Sequence, residues 1–291
     1  MQMAKMFNRN KLREVTIKGY KSIAFDNPVT LKLSDVSILL GANGAGKSNI
    51  ISFFRMLSYM MSKSFGRYVE MAGTANSLLH YGAKKTPVMS GTLTFMTRNS
   101  ENAYQFSLAN ATPDRLIITE ERINWHRNGE AKPYEIFLET NFKESSLAES
   151  SNPAAKSIFK MLSFCKVYQF HDSSTEGPLR QSCPVETANY LQSHGNNLPS
   201  FLLFLRNNYK ESYKRIVDYV RDVVPQFQDF YLEPVNNFVS LRWMDNSPTD
   251  YRFNAYQFSD GSIRFIALAT LLLQPAQTMP NVIILDEPEL G

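Results

Sequence analysis

The chain has 291 residues, 43% hydrophobic and 12% aromatic, with a formal net charge of +4. That is enough apolar material for one large core or two smaller ones, and it excludes a disordered polyelectrolyte. The mild positive charge is compatible with a nucleic-acid partner without requiring one.

Cys165 and Cys183 show no metal-ligand spacing, and His80, His126, His171 and His194 are scattered, so the sequence defines neither a disulfide scaffold nor a zinc site. Met1 to Arg13 is polar and basic and does not read as a signal peptide. The longest apolar run, Phe265 to Leu273, is too short to span a bilayer. These features lead to the expectation of a reduced, cytoplasmic setting and no membrane partner.

In chain order, Leu12–Ile17 and Val29–Leu33 read as strands. Val36, Ile38, Leu39 and Leu40 form an apolar run that predicts a third strand, followed by a Gly-rich loop and a helix from about Lys47 to Ser62. A second helical stretch is expected over Arg67–His80. Alternation from Val88 to Glu139 predicts an antiparallel sheet, with Asn128-Gly129 as a hairpin turn between Ile123–His126 and Tyr134–Phe137. Residues 141–156 read as a mobile connection. Val167–Phe170 reads as a strand, and Val185–Val224 as mostly helical, with Asn197 as a cap and Pro199 at a helix start. The stripe Phe201, Leu202, Phe204, Leu205 reads as core. A strand pair is expected near Phe230–Leu241. Then come an apolar helix through Leu273 and the strand Val282–Leu285.

Two motifs carry chemistry. Residues 41–48, Gly-Ala-Asn-Gly-Ala-Gly-Lys-Ser, fit the phosphate-loop pattern. Gly41, Gly44 and Gly46 permit a tight turn, and backbone N–H groups from Asn43 to Asn49, Ala45 included, face an anion at a helix N-terminus. Lys47 reaches the β- and γ-phosphates, and the Ser48 hydroxyl suits Mg²⁺. The apolar strand ending in Asp286-Glu287 supplies the other half. Asp286 holds the metal through water, and Glu287 orients or deprotonates the attacking water. The implied cofactors are ATP and Mg²⁺, and the implied catalytic residues are Lys47 and Glu287.

A third segment, Phe258-Ser259-Asp260-Gly261-Ser262-Ile263-Arg264, precedes the apolar helix. By itself it reads equally as a turn with Ser259 or Asp260 as the cap. The order of phosphate loop, long insertion, Ser-x-Gly segment and acidic strand resembles that of the ABC ATPases. Gly41–Asn49, the start Ile17-Lys18-Gly19-Tyr20-Lys21-Ser22, and Asp286-Glu287-Pro288-Glu289-Leu290-Gly291 narrow the resemblance to the RecF/SMC/OLD group and its RecF-like AAA ATPases.

The resemblance covers essentially the whole chain and implies an α/β P-loop fold with a mixed sheet. It implies one ATPase domain over residues 1–291. The nucleotide core would be 1–85 with 255–291, the antiparallel β insertion 86–140, and a connection with a mainly helical lobe 141–254. Ser259 and Gly261 would contact the γ-phosphate held by a second protomer, so ATP would be sandwiched in a homodimer. Lys21 would approach the phosphates, and Gln169 or His171 would sense the metal and the γ-phosphate. Family members continue beyond the acidic motif, which implies a missing C-terminal part. The implied role is a DNA-associated ATPase in DNA repair or anti-phage defence, with DNA as a partner. The alternative is a slow nucleotide switch acting on a protein or nuclease effector. Lys84, Lys85, Lys210, Lys214 and Arg215 are the candidate DNA-phosphate contacts.

Overall fold

The computed structural model describes residues 11–97, 100–127 and 133–288. They divide into two compact units, with the boundary between Lys166 and Val167.

The first unit is built on a six-stranded sheet in the order β2-β1-β3-β4-β5-β6, antiparallel throughout. Its strands are β1 Lys11–Lys18, β2 Val29–Lys32, β3 Val88–Met96, β4 Ser100–Ala111, β5 Arg115–Arg127 and β6 Tyr134–Phe137. The sequence alternation becomes the two faces of this sheet: Val15, Ile17, Leu93, Tyr104, Phe106, Ile118 and Ile123 are buried, and their neighbours are not. Helix α1, Lys47–Met61, adds Phe53, Met56, Leu57 and Met60 to the same core. The Phe53 ring stacks on Phe106 at 6.0 Å between centroids. Gly91 makes room for that stack, because a methyl there would lie 2.5 Å from Phe106 and 2.7 Å from Phe53.

Three expectations in this unit change. The run Val36–Leu40 forms no strand, and Val36, Ile38 and Leu40 are 81, 77 and 90% exposed. Apolarity alone does not make a strand; a ladder partner is needed, and the sheet order ends at β2. The stretch Arg67–His80 becomes two helices, α2 Phe65–Met71 and α3 Thr74–Leu78, broken at Gly73. Residues 141–156 are tied down rather than loose. Glu121, 1% exposed on β5, accepts from Tyr104 Oη, from Ser145 Oγ at 2.6 Å and from the Ser146 amide at 2.8 Å. Helix α4 then starts at Pro153, capped by the Asn152 side chain. The hairpin tip Asn128-Gly129 lies outside the described residues, although β5 and β6 pair as expected.

Strand β7, Cys165–Gln169, pairs with β13, Val282–Asp286, and so places the acidic motif at a strand end. Within the second unit, helices α5 Leu198–Asn208, α6 Lys210–Val223 and α7 Asp260–Leu273 enclose the core with the small sheet β12-β11-β9. The strands of that sheet are β9 Phe227–Tyr231, β11 Arg242–Asp245 and β12 Phe253–Asn254. Short strands β8 Cys183–Pro184 and β10 Phe238–Val239 pair separately. Residues 185–224 are mostly helical as expected, in a 3-10 turn Val185–Thr187, α5 and α6, with 188–197 irregular. Asn197 stands at the N-cap but does not cap with its side chain. Instead it is buried, donating to the Thr187 and Tyr190 carbonyls and accepting from the Gln192 amide at 2.8 Å, and so braces the irregular segment. The Phe201, Leu202, Leu205 stripe is core, with Phe204 packed beside it.

Candidate functional site

The Gly-rich loop is exposed and leads directly into α1, whose N-cap Gly46 has φ 93°. Gly44 is also left-handed, at φ 83°. Side chains would be strained at both, which accounts for glycine there. No side chain caps α1 and no acidic residue lies in its first turn, so the positive end of the helix faces outward without an internal anion. The Lys47 ammonium folds back to donate to the Gly41 carbonyl and to that of Ala42 at 3.2 Å, closing the loop around it. Glycines, uncapped helix and in-turned lysine together fit a bound phosphate chain.

A second layer of contacts fixes this loop, and the motif alone does not reveal it. Asn49 Nδ2 donates to Ser22 Oγ at 2.6 Å, so Asn49 contacts the strand–loop junction in this structure. Lys21, left-handed at φ 51°, donates from Nζ to Ser52 Oγ at 2.9 Å. Ser52 also meets Tyr20 Oη at 3.0 Å, and Tyr20 Oη meets Tyr68 Oη at 3.0 Å. Burial, with the Arg55 charge beside it, lowers the Lys21 pKa from the usual lysine value. The segment Tyr20–Ser22 is thereby clamped against the first turns of α1. Lys21 reaches α1 at Ser52, beyond Ser48 along the helix.

In the second unit the structure brings together Gln169 at the end of β7 and Asp286 at the end of β13: Gln169 Nε2 donates to Asp286 Oδ2. The chain turns out of β13 at Glu287, exposed and left-handed at φ 48°. A small recess of about 20 Å³ lies beside these carboxylates, with Tyr168, Phe170, Leu268 and Leu285 as apolar wall and Arg264 at the side. Arg264 Nη2 donates to the His171 carbonyl at 2.6 Å. His171 Nδ1 is buried and makes no hydrogen bond among the described residues. The Asp286 carboxylate is a hard-oxygen group of the kind Mg²⁺ takes, and the Gln169 amide N–H already occupies one of its oxygens. Among the described residues no group of three or more His, Cys, Asp or Glu is placed to hold a metal ion.

The Ser-Asp-Gly segment opens α7. Ser259 is the N-cap, its Oγ accepting from the Ser262 amide at 3.1 Å and sharing a 2.7 Å bond with Ser262 Oγ. The cap reading is therefore the one realised here. Ser259 and Asp260 remain exposed and Gly261 partly so, which leaves the start of the helix open to solvent. The segment is held from below by Arg180, a residue the sequence did not single out. The basic candidates Lys84, Lys85, Lys210, Lys214 and Arg215 are all exposed, and Arg215 also donates to Ser212 Oγ and the Leu273 carbonyl, both at 3.3 Å. Among the described residues no helix is long and apolar enough to cross a membrane.

Comparison with known proteins bears on the family and the fold. Residues 36–291 match a family model described as "AAA domain, putative AbiEii toxin, Type IV TA system". Curated protein sequences give no match. Among solved structures, the chain is similar to the Smc head domain of Pyrococcus furiosus, crystallised with an extended coiled coil and bound to the C-terminal domain of ScpA. Identity is 11%, 96% of this chain and 82% of that chain are covered, and the TM-score is 0.50. At that identity the likeness concerns the fold, a mixed α/β P-loop ATPase fold with an antiparallel sheet. With the family model spanning the glycine loop, the Ser-Asp-Gly segment and the acidic strand, the chain belongs to this AAA domain family.

Proposed function

We propose that this chain binds and hydrolyses ATP as a RecF/SMC/OLD-like ATPase, in an ATP-sandwiched homodimer that serves DNA repair or anti-phage defence. The observation that carries the reading is the outward-facing, uncapped helix start behind the Gly44–Gly46 turn, with Lys47 curled into it. AAA ATPase domains use ATP with Mg²⁺, and the metal, when bound, would neutralise phosphate oxygens as charge develops. The chain's own residues do the rest. Lys47 exchanges the Gly41 and Ala42 carbonyls for phosphate oxygens. Ser48 would offer its hydroxyl to the metal, and Asp286 would offer its carboxylate through water. Gln169 orients Asp286, and Glu287 holds the attacking water and takes its proton. Ser259 and Gly261 face the γ-phosphate bound by a second copy. The reading treats residues 1–291 as one ATPase domain and needs no membrane.

A second reading is a slow nucleotide switch that controls a protein or nuclease effector. It is favoured by the family description, which names a toxin of a Type IV TA system.

Glu287→Gln is the test of the dimer. With water activation removed, the variant should accumulate as an ATP-bound dimer in light scattering. A monomer at saturating Mg-ATP contradicts the sandwich.

A further inference from the structure

Arg180 is the most deeply buried cation of the second unit that the catalytic reading leaves unused. Its side chain is 5% exposed, whereas its one carboxylate partner, Asp260, is 68% exposed. Burying a guanidinium is costly unless its donors are satisfied, and an apolar side chain of similar volume would avoid that cost. What Arg180 gains is a set of backbone contacts. Nε donates to the Ser173 carbonyl at 2.8 Å; Nη1 donates to the Ala255 carbonyl and, at 3.2 Å, to that of Phe258; Nη2 donates to Asp260 Oδ1 at 2.8 Å.

These partners come from two segments. Ser173 lies in the turn just after Gln169, the partner of Asp286. Ala255 and Phe258 bracket the 3-10 turn Ala255–Gln257 that feeds Ser259. Phe258 is fixed from its other end as well, because its ring stacks on Trp243 at 4.9 Å and 21°. The planar guanidinium spreads five donors over three nitrogens and so reaches both segments, whereas an ammonium has three donors on a single atom.

We propose that Arg180 is a positioning residue for the Ser259–Gly261 segment, holding it in register with the turn that follows Gln169. The proposal rests on the reading of that segment as the second anion site. It touches neither nucleotide nor metal.

The test uses the full chain with Arg180→Met, Arg180→Lys and Asp260→Asn. Amide hydrogen exchange of peptides covering 254–263 is read without nucleotide, and ATP turnover is read separately. Loss of several charge-assisted bonds should raise exchange there about tenfold or more in Arg180→Met, with peptides from β3 and β4 unchanged. Turnover at saturating ATP should fall by about the same factor, while affinity for a fluorescent ATP analogue stays within about twofold. Arg180→Lys should resemble Arg180→Met, and Asp260→Asn should keep its protection. Native exchange in Arg180→Met, or full rescue by Arg180→Lys, overturns the proposal. If Arg180→Met fails to fold, Arg180→Lys decides by the same exchange readout. A wild-type chain without ATPase activity would sink the ATPase reading, yet exchange would still judge the positioning role.

Discussion

The side-chain amide of Gln169 donates to the carboxylate of Asp286, joining the ends of two paired strands, β7 and β13. One neutral donor therefore sets the orientation of the acid that the proposed chemistry assigns to Mg²⁺. A hydrogen bond to a charged group contributes about 1.5–3 kcal/mol. Gln169→Ala should lower ATP turnover by about tenfold or more and raise the Mg²⁺ concentration needed for half-maximal rate. Gln169→Glu should be worse, since it sets a second negative charge against Asp286. Turnover titrated with Mg²⁺ checks both, and a Gln169→Ala enzyme with an unchanged Mg²⁺ curve removes Gln169 from the site.

The contact of Phe53 with Phe106 requires a bare backbone at Gly91. Gly91→Ala places a methyl within 2.7 Å of both rings and should destabilise the first unit by about 1–3 kcal/mol, as overpacking does. Thermal unfolding followed by circular dichroism gives the answer, and a native-like midpoint would mean that the rings yield without cost.

Glu121 is a buried carboxylate whose partners all donate to it: Tyr104 Oη, Ser145 Oγ and the Ser146 amide. Glu121→Leu leaves those neutral donors without an acceptor and should cost at least about 1–3 kcal/mol, the range for a single unsatisfied buried donor. Hydrogen exchange should show residues 141–148 opening first, because Glu121 is what ties them to the sheet. Unchanged exchange there would refute that role.

Burial pushes the Cys165 thiol up to about 12 from 9.0. The raised value means that the neutral thiol's contribution to stability is intact below pH 9 and is lost as pH rises from 9 towards 12, where the unfolded chain ionises first. Urea midpoints at pH 8 and pH 10.5 should fall with pH, and less in Cys165→Ala. Native Cys165 should also resist alkylation at pH 8, a reactivity that mass spectrometry reads directly.

Much of this architecture could be read from residues alone. The alternation of Val88–Glu139 gave β3 to β6, because period two with one buried face has few other solutions. The glycine turn was legible because the left-handed positions at 44 and 46 favour glycine. The run Val36–Leu40 misled, since hydrophobicity reports a wish for burial and not the ladder partner that makes a strand. Asn197 was read as a cap, whereas a buried amide with several donors and acceptors can serve tertiary partners instead. Arg180 carried no local signal at all. Its partners Ala255, Phe258 and Asp260 are distant in sequence, and no spacing rule encodes them.

The central claim is that this chain turns over ATP with Lys47 and Glu287 as essential residues. The direct measurement is phosphate release from Mg-ATP by the full chain, with and without duplex DNA at low salt, against Lys47→Ala and Glu287→Gln. Turnover should fall by about a hundredfold or more in both variants, and DNA should raise the wild-type rate. DNA-independent turnover would favour the effector switch. Turnover that survives in Lys47→Ala, or no phosphate release by the wild-type chain, would contradict the claim.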